Sequence, residues 1–306
     1  MAVTWFDDLP VMGKMPPTLA AAKLREMGAD NEAAALEAAH VSESDTYAVR
    51  KGWWPLRDRV WRHTAHAFGY LAPAAPGDAP LPIKHAGNIE ADRTLRHNRI
   101  TITLDRLRAA NYPGFGTHHI LFDFYAQNQV SPGVEHLHFN AAYRVREGEQ
   151  AAILGYPIFV GLNVGAAGVA FKCYTVNVKN EADQAALKFL ESDVFKTGLK
   201  LISTAQPAIA PLSEMAFALT RNVASRQRNA PVQEFYLGLD LGGVPTGARL
   251  REGAYLAVQI PETMQSIWDW SDWAYHPSSG QVVNQADHKQ LIPYNYLVFG
   301  ISRYED

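Results

Sequence analysis

Cysteine is nearly missing from this chain: Cys173 stands alone among 306 residues, and one thiol cannot close an internal disulfide. No Asn-x-Ser/Thr acceptor occurs anywhere either. Both absences fit a reducing compartment, and the chain reads as cytoplasmic. No window approaches eighteen consecutive apolar residues, and the most apolar stretch, 151–164, carries Asn163 and several glycines; no helical membrane span is predicted. The first residues, MAVTWFDDLP, are acidic where a secretory leader needs a basic stretch followed by an apolar run. Neither sign of charge dominates. With 28 Lys and Arg against 31 Asp and Glu, a net charge of -3 sets up no long-range field able to gather nucleic acid or an anionic bilayer, although a membrane surface stays open as a partner through a local patch. GxxxxGK[ST], GxGxxG, GxSxG, HExxH, CxxC and EF-hand patterns are all missing, which disfavours the common nucleotide-binding, serine-hydrolase and zinc-protease classes.

What remains is an ordinary globular composition, 47% hydrophobic and 19% charged, rich enough for one main core. Residues 18–27 are strong helix formers behind Thr18 as N-cap, with Gly28 as a stop, and 32–39 predict a second short helix. Trp53, Trp54, Trp61 and Phe68 follow as an aromatic strap that needs cover. The prolines of 71–82 (LAPAAPGDAPLP) block helix and central strand and favour an extended connector. The predicted organisation is therefore a helical segment with its strap over 1–70, a connector over 71–82 and a β domain over 83–306.

Beyond the connector the apolar period changes to two. Ile100, Ile102 and Leu104 share one face and Arg99, Thr101 and Thr103 the other. The alternation returns at 118–126, 137–145, 169–179, 235–241, 255–260 and 296–301, with a further strand at 156–164. Two helices interrupt them: 181–190, and 213–226 with Leu212, Met215, Leu219 and Val223 at helical spacing. Arg221, Arg226 and Arg228 gather near the end of the second, where the helix dipole favours cations. Such spacing predicts a mainly β fold, an antiparallel two-sheet sandwich whose layout is similar to C2-like or jelly-roll sandwiches. The loop from Leu107 to Thr117 lacks the aspartate cluster of calcium-binding C2 domains.

Candidate chemistry is sparse. His136 and His138 lie two apart on a strand and so share a face, an arrangement similar to the metal-ligating pairs of cupins; no glutamate follows at the spacing that pattern needs. Matching the apolar faces of 120–124 and 137–141 places residue 139 opposite 122 and His138 beside Asp123. A metal set of His136, His138 and Asp123, with Tyr125 near, is the expectation, on a face that as a solvated sheet surface needs no function. His118 and His119 stand roughly 20 Å away along the strand and cannot join. A divalent metal is the one cofactor these residues could hold.

The second candidate is Trp268, Trp270, Trp273 and Tyr275 with Asp269 and Asp272 between them. Rings beside carboxylates could stack a sugar or anchor a partner; the plainer alternative is that they plug one end of the sandwich. Cys173 alternates with Phe171 and Val169 and reads as an inert core thiol. Gly161, Gly165 and Gly168 do not match a phosphate loop and read as bends. The leading expectation is a non-enzymatic binding or assembly module with a protein partner or a second copy. The alternatives are a metal-dependent enzyme at His136 and His138, carbohydrate binding at 268–276, and a membrane-active protein that rearranges 156–178.

Overall fold

A computed structural model describes residues 64–73, 79–130, 133–151, 153, 155–191, 193–201, 209–226, 228–242 and 247–305. The two helices predicted over 18–39 and the tryptophans of the strap lie outside these residues. The fold is mainly β and arranged in three sheets. In chain order the strands are β1 Thr64–Leu71, β2 Leu81–Pro82, β3 Lys84–His85, β4 Arg99–Arg108, β5 Thr117–Val130, β6 Gly133–Arg146, β7 Tyr156–Asn163 and β8 Gly168–Asn177. Helices α1 Glu181–Ala186 and α2 Asp193–Thr197 come next, then β9 Leu199–Lys200 and α3 Ala210–Ser225. The chain continues with β10 Ala230–Asp240, β11 Ala248–Arg249, β12 Gly253–Pro261, β13 Trp273–His276, β14 Gln281–Asn284 and β15 Tyr296–Arg303. Each segment with alternating apolar residues is a strand. The strand β1, which precedes the prolines, pairs along its whole length with β12, so the largest sheet draws on both sides of the connector.

A seven-stranded sheet runs β3-β1-β12-β15-β4-β7-β9, a five-stranded one β11-β10-β8-β5-β6, and a small one β14-β13-β2. Pairing is antiparallel except for the two-residue contacts of β7 with β9 and β10 with β11. The two larger sheets meet through aromatic side chains: Phe124 of β5 lies 5.1 Å from Phe299 of β15 and 6.0 Å from Phe159 of β7, ring centre to ring centre, and Phe235 of β10 lies 6.2 Å from Phe299. Burying such rings contributes about 1.5–3 kcal/mol each, and the period-2 pattern is what turns them all to one side.

The seven-stranded sheet is also covered on its other face. Odd and even residues of β12 both vanish from solvent: Tyr255 and Ala257 join the sandwich core, while Leu256, Val258 and Ile260 meet Trp270, Tyr275, Val282 and Ile292 beneath the small sheet. Three β layers result, with the large sheet in the middle.

Strand β6 is an edge of the five-stranded sheet, and α3 covers part of it. The buried stripe of α3 is Ser213, Ala216, Thr220 and Val223, whereas Met215 and Phe217 are exposed. Of the expected Leu212, Met215, Leu219 and Val223 face, Val223 is buried and Leu212 and Leu219 pack partly buried against the core, while Met215 is exposed. The rest of the inward stripe is polar: Ser213 Oγ accepts from the His138 backbone N–H at 3.2 Å, and Asn140 Nδ2 donates to Thr220 Oγ1 at 3.0 Å. A hydroxyl stripe satisfies a strand edge where leucines could not. Past the helix end, Arg226 Nη1 pairs with the buried Asp183 Oδ1 of α1 at 2.8 Å.

Candidate functional site

The β5/β6 hairpin sets the first candidate. Face matching determines register only to within steps of two residues; because two residues separate Val130 from Gly133, which pair directly, Phe139 falls opposite Phe124 and Asp123 opposite Asn140. This shifts the expected register by two. His138 consequently faces Tyr125, and His119 faces Arg144. Asp123 still reaches His138 on the diagonal, Oδ1 to Nδ1, at 3.2 Å.

The expected open, solvated face is closed around Asp123 and His138, while His136 stays exposed. The side chains of Asp123 and His138 retain 6% and 19% exposure, and Phe217 of α3 stands 5.1 Å from the His138 ring. Tyr125 Oη lies 2.5 Å from His136 Nδ1, and its ring packs on both histidines. Neighbouring strands add partners that spacing along one strand could not reveal: Lys172 Nζ of β8 bonds Glu234 Oε1 of β10 at 2.9 Å, beside Tyr236. Desolvation pushes the Tyr125 phenol up, against the pull of Gln127 and Lys172. It also lowers the His136 imidazole, with His138 adding to the effect. Asp123 with His138 and Lys172 with Glu234 are the two pairs described on this face. No group of three His, Cys, Asp or Glu side chains among the described residues could hold a metal. The Asp123 carboxylate engages His138 Nδ1, the place of an orienting partner.

His118 and His119 separate completely. His118 faces the core, 2% exposed, with Nδ1 3.2 Å from Asn177 Nδ2; close by, the buried Tyr112 hydroxyl lies 3.2 Å from Thr175 Oγ1 and accepts from Gln233 Nε2 at 3.0 Å. Cys173 is buried and unbonded, and burial raises its thiol well above the ordinary value.

The tryptophan segment forms the second candidate. Asp269 caps a tight turn over 270–272, accepting from the Ser271 N–H at 2.8 Å. That bond holds the Asp269 carboxyl below the usual carboxylate range. The turn orients the rings: Trp268 and Trp273 lie nearly parallel, 9° apart with centres 5.9 Å from each other, and Trp270 meets Trp268 edge-on at 81°. Trp270 is 5% exposed and sits against Gly69 of β1, where an added Cβ would come within 3.0 Å of the indole and 2.5 Å of Ile83 Cγ2. Glycine at that position is what lets the ring close on the sheet.

These three tryptophans line an open groove of about 580 Å³. Its polar lining comes from Lys84, His85 and Asn88 and from Asp269, Ser271 and Gln285. The buried indole N–H groups of Trp268 and Trp270 have no hydrogen-bond partner among the described residues. Tyr275 does not line the groove; it is buried in the second apolar cluster. The residues 82–88 escaped the sequence reading because two-residue strands leave no period to detect.

No protein-family model, curated protein or solved structure matches this chain.

Proposed function

We propose that the chain is a non-enzymatic binding module and that the tryptophan groove is its ligand site. The observation that carries this is the groove itself: three tryptophans and six polar side chains around about 580 Å³, a volume within the range of small-molecule sites. Trp270 belongs to the second apolar cluster and Trp268 and Trp273 pack against it, yet the three rings leave an open groove beside them. The scaffold is read as C2-like or jelly-roll-like and its setting as cytoplasmic, supported by the lone buried thiol. A protein partner would dock on the same rings, which are favoured anchors at interfaces.

A ligand-observed NMR screen of a chemically mixed fragment library against the full chain tests the site without presuming its ligand. Fragments should bind wild type and lose at least tenfold in affinity with Trp273→Ala. Hits that ignore this substitution would place the binding site elsewhere and end the proposal.

A second reading, a metal-dependent enzyme at His136 and His138, has one observation in its favour. Tyr125 and Asp123 engage both Nδ1 atoms, which leaves Nε2 of each ring as the ligating atom, as second-shell partners do. Elemental analysis of protein from unsupplemented cells decides it. Stoichiometric zinc, iron or manganese, lost in the His136→Ala/His138→Ala double variant, would establish that reading; metal-free protein would remove it.

A further inference from the structure

We infer that the occupant of the groove is a hexopyranose ring, stacked by its C–H face on the Trp268 and Trp273 indoles and held at its hydroxyls by the polar lining. The inference rests on the groove being the ligand site. Three classes of ligand would be drawn to tryptophan, and the lining separates them. A flat aromatic ligand would satisfy the rings but would desolvate Asn88, Asp269 and Gln285 without replacing their water, and polar groups left unpaired cost about 1–3 kcal/mol each. A phosphate or carboxylate would gain from Lys84 and lose to the ionised Asp269 in the lining of the same groove. A pyranose meets both demands. One of its faces is a patch of C–H bonds suited to the electron-rich plane of an indole, and its rim carries hydroxyls that each donate and accept.

The lining has that mixed character. Lys84 donates, Asp269 accepts, and Asn88 and Gln285 do either. Gly87 N–H donates to His85 Nδ1 at 3.0 Å, so the other ring nitrogen is the one left to donate to a ligand oxygen. Trp268 and Trp273 stack on each other, 9° apart, so the pair offers its outer indole face to a pyranose ring. Asp269 matters twice, because the Ser271 N–H takes its Oδ1 and leaves Oδ2 to accept from a sugar hydroxyl.

Isothermal titration and tryptophan fluorescence on the full chain test this, with linear tetrasaccharides of glucose, galactose, mannose and N-acetylglucosamine as probes and indole and inorganic phosphate as comparators. At least one tetrasaccharide should saturate and change the fluorescence. Trp273→Ala should weaken it tenfold or more; Asp269→Asn, at an exposed position that does not threaten folding, should weaken it severalfold while the fluorescence change persists. Saturable binding of indole or phosphate alone, abolished by Trp273→Ala, would overturn the sugar and leave the groove standing as a site. Tetrasaccharide binding indifferent to both substitutions would overturn the placement. Silence from every probe would overturn the inference, while fragment hits sensitive to Trp273→Ala would still uphold the groove.

Discussion

A few residues decide where chemistry can occur here, and some of them carry none. Gly69 is the clearest. Its missing side chain seats Trp270, so Gly69→Ala should tilt that indole, and the fragment and sugar affinities should fall at least threefold with the sandwich intact by circular dichroism. Unchanged affinity would show that Trp270 adjusts. His118 makes a different prediction. Burial lowers its imidazole, with Lys179 adding to the shift and Glu147 opposing it. The folded chain therefore resists a proton that the unfolded chain accepts, and stability is lost as pH falls below about 6.5, the ordinary histidine value. His119 and His136 shift the same way. Urea midpoints measured from about pH 7.5 to about 5.5 should fall for wild type, and fall less steeply for His118→Gln; parallel slopes would remove His118 from the acid sensitivity. Neither effect was legible in the sequence. A glycine in an alternating run and a histidine at a strand start look the same wherever they fold.

At the scale of elements, the strands beyond the connector were legible and the helix face only in part, through Leu212, Leu219 and Val223. The period of two is set by backbone geometry, so the apolar set of β5 declares its buried side without knowledge of its neighbours. The α3 helix obeys a neighbour instead. Its inward side was chosen by the exposed edge of β6 and the amide of Asn140, which need hydroxyls, and that cost leaves Met215 and Phe217 in water. Thr220→Val tests this directly. It keeps the shape and removes the acceptor for Asn140, and should destabilise the protein by about 1–3 kcal/mol in urea unfolding, whereas Met215→Ala should change stability by less than about 0.5 kcal/mol. The reverse order would mean that the apolar stripe docks the helix after all. The β5/β6 hairpin shows a subtler limit. Face matching left registers two residues apart equally good, and closure at Val130 and Gly133 selected one of them.

For the whole molecule the middle sheet is the organising feature. Strands β12 and β15 contribute to both apolar clusters, so their amides can open only when both layers part. Hydrogen exchange should be slowest there and fast in the two-residue strands β3, β9 and β11; fast exchange in β12 would mean that the layers separate independently. Phe124, which contacts Phe159, Phe171 and Phe299, should cost about 3–5 kcal/mol as Phe124→Ala. The mainly β class, the long strands from β4 onward and the separation of His118 from His136 followed from the sequence alone, because composition and periodicity act locally; β1 at Thr64–Leu71, read as part of the aromatic strap, did not. The three-layer stacking, the compensated polar face around Asp123 and the groove between residues 82–88 and 268–273 did not. Those depend on contacts between segments that local pattern does not link, nearly two hundred residues apart in the groove, and only the folded chain brings such segments within the few ångströms over which packing and hydrogen bonds act.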